Sequence, residues 1–326
     1  MTKRVVRAIT HASGSLALGV SACLFACNTQ PPAPLESEPA NASAPTPPAR
    51  SAAASETGAA PSLAVASSTP GASGTILSVA ATAAARGVAL VNAESGVTAP
   101  PDTVPLITVS KSALFVGTER VADVLPGPLG FDATIKRAGA RAALEVLPLE
   151  AILRPLHAQK PTDDTVRLLF DATTSYRSAI EVLFSTAQAG FTSFAVIVAS
   201  KAGERAVPAS TPSRAERDAA RLPGAPPSPS FVLQRDGVTL TVGDVAIGAG
   251  CTRGARGVAV PSVAGRIDPA AVAVCAARVK TMDPMWASVA VASVSAAAEL
   301  DMQTVMGAVA AIVPTFPVVH FGLLSP

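Results

Sequence analysis

Val166-Arg167-Leu168-Leu169-Phe170 is followed by Asp171, then by an apolar-periodic run carrying Tyr176, Ile180, Val182, Leu183 and Ala187, then by Gly190 and Phe194-Ala195-Val196-Ile197-Val198. The order spells strand, helix, strand. Short continuous apolar runs rich in β-branched side chains suit strands buried on both faces. Between them, Thr174 or Ser175 stands where an N-cap side chain is needed. Gly190 stands where the chain must turn out of the helix.

Upstream, Leu106-Ile107-Thr108-Val109 and Ala113-Leu114-Phe115-Val116-Gly117 flank Ser110-Lys111-Ser112 and read as a hairpin. A Gly/Pro excursion with Pro126-Gly127-Pro128 and Gly130 follows, and Pro148 opens a helix through Arg154. Residues 104–200 therefore order as β-β-α-β-α-β. Residues 201–229 are polar and proline-rich, with a charged island from Arg214 to Arg221, and read as an interdomain linker. The pattern then returns over 230–326. Phe231 to Gln234 and Val238 to Val242 flank an Asp236-Gly237 turn. Asp268-Pro269 opens a helix through Val279, Ala287 to Val294 reads as a strand, Glu299 to Ile312 as a helix, and Val318-Val319-His320-Phe321 as the last strand. The expected fold class is α+β, two tandem small β-β-α-β-α-β units. Duplication is the first reading and two unrelated α/β units the rival one.

Lys3, Arg4 and Arg7 precede an apolar stretch from Ala12 to Ala26, shorter than the roughly 20 residues a membrane span needs. Residues 1–27 read as a signal peptide. Val20-Ser21-Ala22-Cys23 and Leu24-Phe25-Ala26-Cys27 both have lipobox form. Cys23 is the better lipidation site because Phe25 is bulky, and Cys27 is the alternative. Leu24 or Asn28, not Asp, would follow the acylated cysteine, which places a lipid-anchored product on the periplasmic side of the outer membrane. An uncleaved segment in the inner membrane is the alternative. Residues 28–103 are rich in Pro, Ala and Ser and read as a disordered linker. Within it, Ile76 to Val91 is more apolar and fits a short helix or a strand.

Lys and Arg number 25 against 23 Asp and Glu, with no basic block, so no nucleic acid is expected as a partner. The histidines are His11, His157 and His320, and no pair has metal-ligand spacing. No nucleophile elbow or phosphate loop is present. Gly248 to Gly257, with Arg253 and Arg256, reads as an anion cradle or as a surface loop. Asp163-Asp164 reads as a turn cap. Asp171 either contacts a ligand or holds the loop before the Tyr176 helix, and Tyr176 is a core aromatic or a ligand contact. In an exported chain Cys251 and Cys275 would meet oxidising conditions. A disulfide between them closes a loop of about 24 residues and stabilises by roughly 3 kcal/mol. Two buried thiols are the alternative. Together these features indicate a binding or scaffold protein without cofactor or metal, and not an enzyme.

The run from Val166 through Asp171, Tyr176 and Ala189-Gly190 to Val198 is similar to the signature of the ExbD/TolR biopolymer-transport family, and the 106–117 hairpin sits where that family has its first strands. The resemblance covers about 104–200. In the second unit Leu300 takes the aromatic place and nothing matches the Asp. The resemblance implies a small periplasmic α/β domain that dimerises and contacts a partner peptide, at a strand edge, or peptidoglycan. The family's membrane helix carries a protonatable Asp, whereas no acidic residue lies between Met1 and Leu35. An envelope binding module is therefore expected, with an accessory subunit of a proton-driven transport complex as the alternative.

Overall fold

The computed structural model describes residues 78–322, apart from 126–128, 214, 217, 219–221 and 223. The signal segment, Cys23, Cys27, His11 and the tether to residue 77 lie outside the described residues. The fold is α+β. Its first half contains α1 (Val79–Ala85), β1 (Leu106–Val109), β2 (Ala113–Val116), β3 (Glu119–Asp123), α2 (Leu147–Gln159), β4 (Thr165–Phe170), α3 (Tyr176–Gln188), β5 (Ser193–Ser200) and β6 (Gly203–Ser210). Its second half contains β7 (Pro229–Gln234), β8 (Gly237–Val242), β9 (Val245–Gly248), β10 (Thr252–Arg253), β11 (Val260–Pro261), α4 (Pro269–Met282), α5 (Pro284–Ala287), β12 (Val291–Ala296), α6 (Met302–Ile312) and β13 (Val318–Gly322).

All strands join one sheet in the order β10-β9-β8-β7-β12-β13-β6-β5-β4-β1-β2-β3, with β11 on β8. The halves have matching topology. A hairpin supplies an inner strand, and two later strands lie parallel to it: β1, β4 and β5 in one half, β7, β12 and β13 in the other. The two units thus share a sheet. They meet where β13 runs parallel to β6, paired at His320 and Ser210.

Local chemistry explains the boundaries. Ser175 caps α3, its hydroxyl accepting from the Ser178 N–H. Gly190 ends it with φ +111°, and a Cβ there would stand 2.6 Å from the His157 ring, so glycine serves both backbone and packing. Asp268 caps α4 with Pro269 in the first turn. The strand expected from Ala287 begins at Val291 instead, because Asp283 caps the short helix α5 just before it. The helix expected from Glu299 begins at Met302, where Asp301 accepts the Thr304 N–H at 2.7 Å.

Both expected linkers are shorter than the sequence indicated. Within the first of them the chain is already folded at Ser78: α1 forms, and Val79, Ala83, Val88 and Val91 are buried. Residues 203–210, assigned to the interdomain linker, form β6, which pairs along its length with β5. The sheet consequently has two cores. Helices α2, α3, α4 and α6 cover one face. On the other, Val79, Ala83 and Val88 pack on Leu169, Ala195, Ile197 and Ala206 of the first half. Among the described residues, no helix is long and apolar enough to cross a membrane.

Candidate functional site at the seam

The helices that follow β4 and β12 meet head to head. The Tyr176 N–H donates to the Leu300 carbonyl at 2.7 Å, and the Met302 N–H donates to the Thr174 carbonyl at 2.8 Å. One residue further on, Arg177 N–H reaches Ala298 and Gln303 N–H reaches Ala172. Ser175 and Asp301, the two N-caps, form an antiparallel bridge. These bonds are reciprocal in a single register, so the halves are related by a local pseudo-twofold. Met302 therefore corresponds to Tyr176, and Leu300, expected in that place, corresponds to Thr174. Ala297 corresponds to Asp171. Open α/β sheets usually bind ligands at the carboxyl ends of their parallel strands. Here the first N–H groups of both helices, which would otherwise be free to bind an anion, are spent on the opposite half.

Asp171 and Tyr176 lie inside this junction. Asp171 is fully buried. Its carboxylate accepts the Ala89 N–H, the Thr173 N–H and the Thr173 hydroxyl at 2.9, 2.9 and 2.6 Å. Ala297, with a methyl side chain, has no acceptor with which to make such contacts. Tyr176 is also buried, and its hydroxyl donates to the Gly322 carbonyl at 2.6 Å. As ligand contacts the pair is corrected: both side chains are committed to the fold.

Residues 88–99 run through the junction as a strap. Val91 and Ala93 bond the Ala199 backbone, Val97 exchanges two backbone bonds with Ala206, and Asn92 exchanges two bonds with the Gln303 side chain. Gly96 passes so close that a Cβ would stand 3.0 Å from the Ala206 carbonyl oxygen. Two arginines hold the flanking chain. Arg167 pairs with Asp102, and Arg86 stacks on Phe115 at 4.4 Å while donating to the Thr108 hydroxyl.

Two clefts open beside the seam. One, of about 310 Å³, lies on the strap side between Val97, Pro100, Ala195, Pro208, Ser210 and Val318. The other, of about 410 Å³, lies between α3 and the chain after β6, where Ile180, Leu183, Phe184 and Phe321 face Pro212 and Ser213. None of the residues lining either cleft is ionisable. The second half adds a half-exposed face of Ser230, Val232, Gln234, Ser293 and Val318 on its parallel strands, a face that in such sheets is normally covered.

The outer strand edges suit a partner less well. β3 presents Glu119, Arg120 and Asp123, and charged edges resist strand addition. At the opposite end β10 is two residues long.

The remaining candidates are dispersed. His157 packs edge-on against Phe191, with ring centres 5.0 Å apart. Asp164 accepts from the Thr192 and Ser193 hydroxyls, whereas Asp163 is exposed. Gly248 to Arg253 of the glycine-rich run belong to the β9–β10 hairpin, beyond which the Gly254 N–H donates to the Ala246 carbonyl. Arg253 pairs with Asp283 and lies over Trp286, and Arg256 is exposed. Cys251 and Cys275 form the expected disulfide, which ties this hairpin to α4. Among the described residues, no group of His, Cys, Asp and Glu has an arrangement that holds a metal.

Sequence reading missed the buried ion pair of Lys136 and Glu181, 2.6 Å apart with both side chains fully buried. Glu181 also accepts from Arg177 and from the Phe131 N–H. Gly130 is required beside it: its φ is +71°, and a Cβ would collide with the carboxylate. Ser185, one turn on, accepts the Val146 N–H at 2.7 Å. Arg177, Glu181 and Ser185 share one face of α3 at helical spacing and hold down the 129–146 excursion. That spacing was the available signal.

Comparison with protein families, with curated proteins and with solved structures gives no match for the chain.

Proposed function

We propose that the chain is a lipid-anchored protein of the cell envelope, held on the periplasmic side of the outer membrane, whose folded part is a binding module and not a catalyst. The observation that carries this reading is the contrast at the seam. The strand ends where α/β sheets usually place their chemistry are closed by the protein's own backbone, while the two clefts beside the seam are lined by no ionisable side chain among the described residues. General acid–base or nucleophilic work needs such groups in the concavity. Neutral, apolar clefts instead suit an apolar partner segment. Each half is read as an ExbD/TolR-like unit. A hairpin followed by two parallel strands and their helices supports that likeness, as does the head-to-head meeting of the halves, which supplies within one chain the pairing the family makes between two. Peptidoglycan is the other envelope partner considered.

A photo-crosslinking residue placed at Val97, at the mouth of the strap-side cleft, tests the reading in intact cells. The expected result is a discrete adduct with an envelope protein or with cell-wall fragments, lost when Val318→Asp puts a charge into the cleft. Crosslinking that is diffuse, or indifferent to Val318→Asp, would contradict it.

A further inference from the structure

The strand registers bring one residue from each of seven adjacent strands into a single row across the sheet. Thr165 of β4 pairs with Ser193 of β5, and Ser193 with Ser210 of β6. Ser210 pairs with His320 of β13 and His320 with Ser293 of β12. Ser293 pairs with Ser230 of β7, and Ser230 with Thr241 of β8. Every member except His320 carries a hydroxyl. The row lies on the face away from α2, α3, α4 and α6, since the sequence neighbours of its members, such as Val166, Phe194, Val294 and Phe231, form the core under those helices. Further along β4, β5 and β6 the same face carries Leu169, Ile197 and Ala206, packed with α1. The hydroxyls thus stand where that apolar cover ends. Thr241 is exposed and the other six are half-buried. The Ser210, Ser230 and Thr241 hydroxyls have no hydrogen-bond partner among the described residues. Thr165 and Ser193 reach Asp164 only at 3.5 and 3.3 Å, and Ser293 reaches the Pro229 carbonyl at 3.4 Å. In the middle of the row the His320 Nε2 is buried without a hydrogen-bond partner, 3.9 Å from Glu216.

We propose that this row is a docking track for an uncharged polysaccharide strand lying across the β-strands. The inference rests on the reading of the chain as a binding module and names the ligand of one of its faces. Adjacent strands are about 4.8 Å apart, so the row offers hydroxyls at regular intervals over roughly 30 Å. A hydroxyl both donates and accepts, which suits a ligand that does the same along its whole length. An added peptide strand would instead run along the strands and need free backbone groups at an edge. No member of the row carries a fixed charge, which favours a neutral polymer over an anionic one. Thr165, Ser193 and Ser210 also line the strap-side cleft, beside Val97, Pro208 and Val318. A sugar ring has apolar C–H faces as well as hydroxyls, so the end of such a strand meets both kinds of surface there.

The test is calorimetric titration of the full-length chain, in detergent, with two uncharged probes: cellohexaose and the β-linked hexasaccharide of N-acetylglucosamine. The track predicts saturable binding of at least one, with an affinity that added salt leaves unchanged. A variant combining Ser230→Ala, Ser293→Ala and Thr241→Val should bind that probe about tenfold more weakly or worse, while unfolding at the parent's temperature. Failure of both probes to bind, binding that weakens with salt, or an unchanged affinity in the folded variant would overturn the proposal. If the triple variant does not fold, Thr241→Val alone, at an exposed position, should weaken binding by about threefold, and no change there overturns it instead. A discrete protein adduct at Val97 combined with failure of both sugars would remove the track and leave the binding module standing. Failure of the sugars and of the crosslink together would remove both.

Discussion

The hydroxyl of Tyr176 donates to the backbone carbonyl of Gly322 at 2.6 Å, tying the first residue of α3 to the last strand of the opposite half. The Tyr176 side chain is buried and the bond part-buried at Gly322, and its loss takes this donor from the carbonyl. Tyr176→Phe is expected to lower stability by about 0.5–1.5 kcal/mol. Urea unfolding, followed through Trp286, measures this. An unchanged midpoint would mean that the seam does not depend on the bond.

Asp171 anchors the strap through Ala89 and the turn through Thr173. Asp171→Ala removes three accepted bonds at a buried position, and a loss of roughly 3 kcal/mol or more is expected. Residues 88–99 should also become cleavable by a protease that spares them in the parent protein. Limited proteolysis with mass detection checks this.

Lys136 and Glu181 contribute through their pairing, since either charge alone would be costly inside. Glu181→Leu strands Lys136 and should cost about 3–5 kcal/mol. Lys136→Met should cost less, because Arg177 and the Phe131 N–H still satisfy the carboxylate. Thermal unfolding of the two variants gives the order. The reverse order would contradict the assignment of Arg177 as the second partner.

The Cys251–Cys275 bridge holds the edge hairpin β9–β10 on α4. Cys251→Ala should abolish the mobility difference between reduced and non-reduced chains. It should also lower stability by about 3 kcal/mol, the loop-closure value for this separation. Reduction of the parent protein should reproduce the loss.

The sequence made some elements plain and hid others for physical reasons. Strands β4 and β5 were legible because parallel strands in a covered sheet are apolar without interruption. The turn at Asp236-Gly237 and the caps at Ser175 and Asp268 were legible because the geometry they serve is local. β6 was not legible. Glu204, Arg205 and Pro208 read as linker, yet β13 meets β6 only at Ser210, so a proline two residues earlier removes a donor that the sheet hardly uses. β3 was hidden by its charges, which are what an edge strand carries. At the seam, Asp171 and Tyr176 were recognisable as special residues. Their roles depend on Ala89 and Gly322, partners so distant in sequence that no local pattern reports them. The same distance hid the correspondence of Tyr176 with Met302, which lies in the register of backbone bonds and not in side-chain similarity.

The most direct test of an anchored binding module is the mass of the mature N-terminus, determined from fractionated cells that express the full-length chain. The account predicts an acylated Cys23, or Cys27 in its place, in the outer-membrane fraction. An intact Met1 in the inner membrane would contradict it and would favour a subunit of a transport complex.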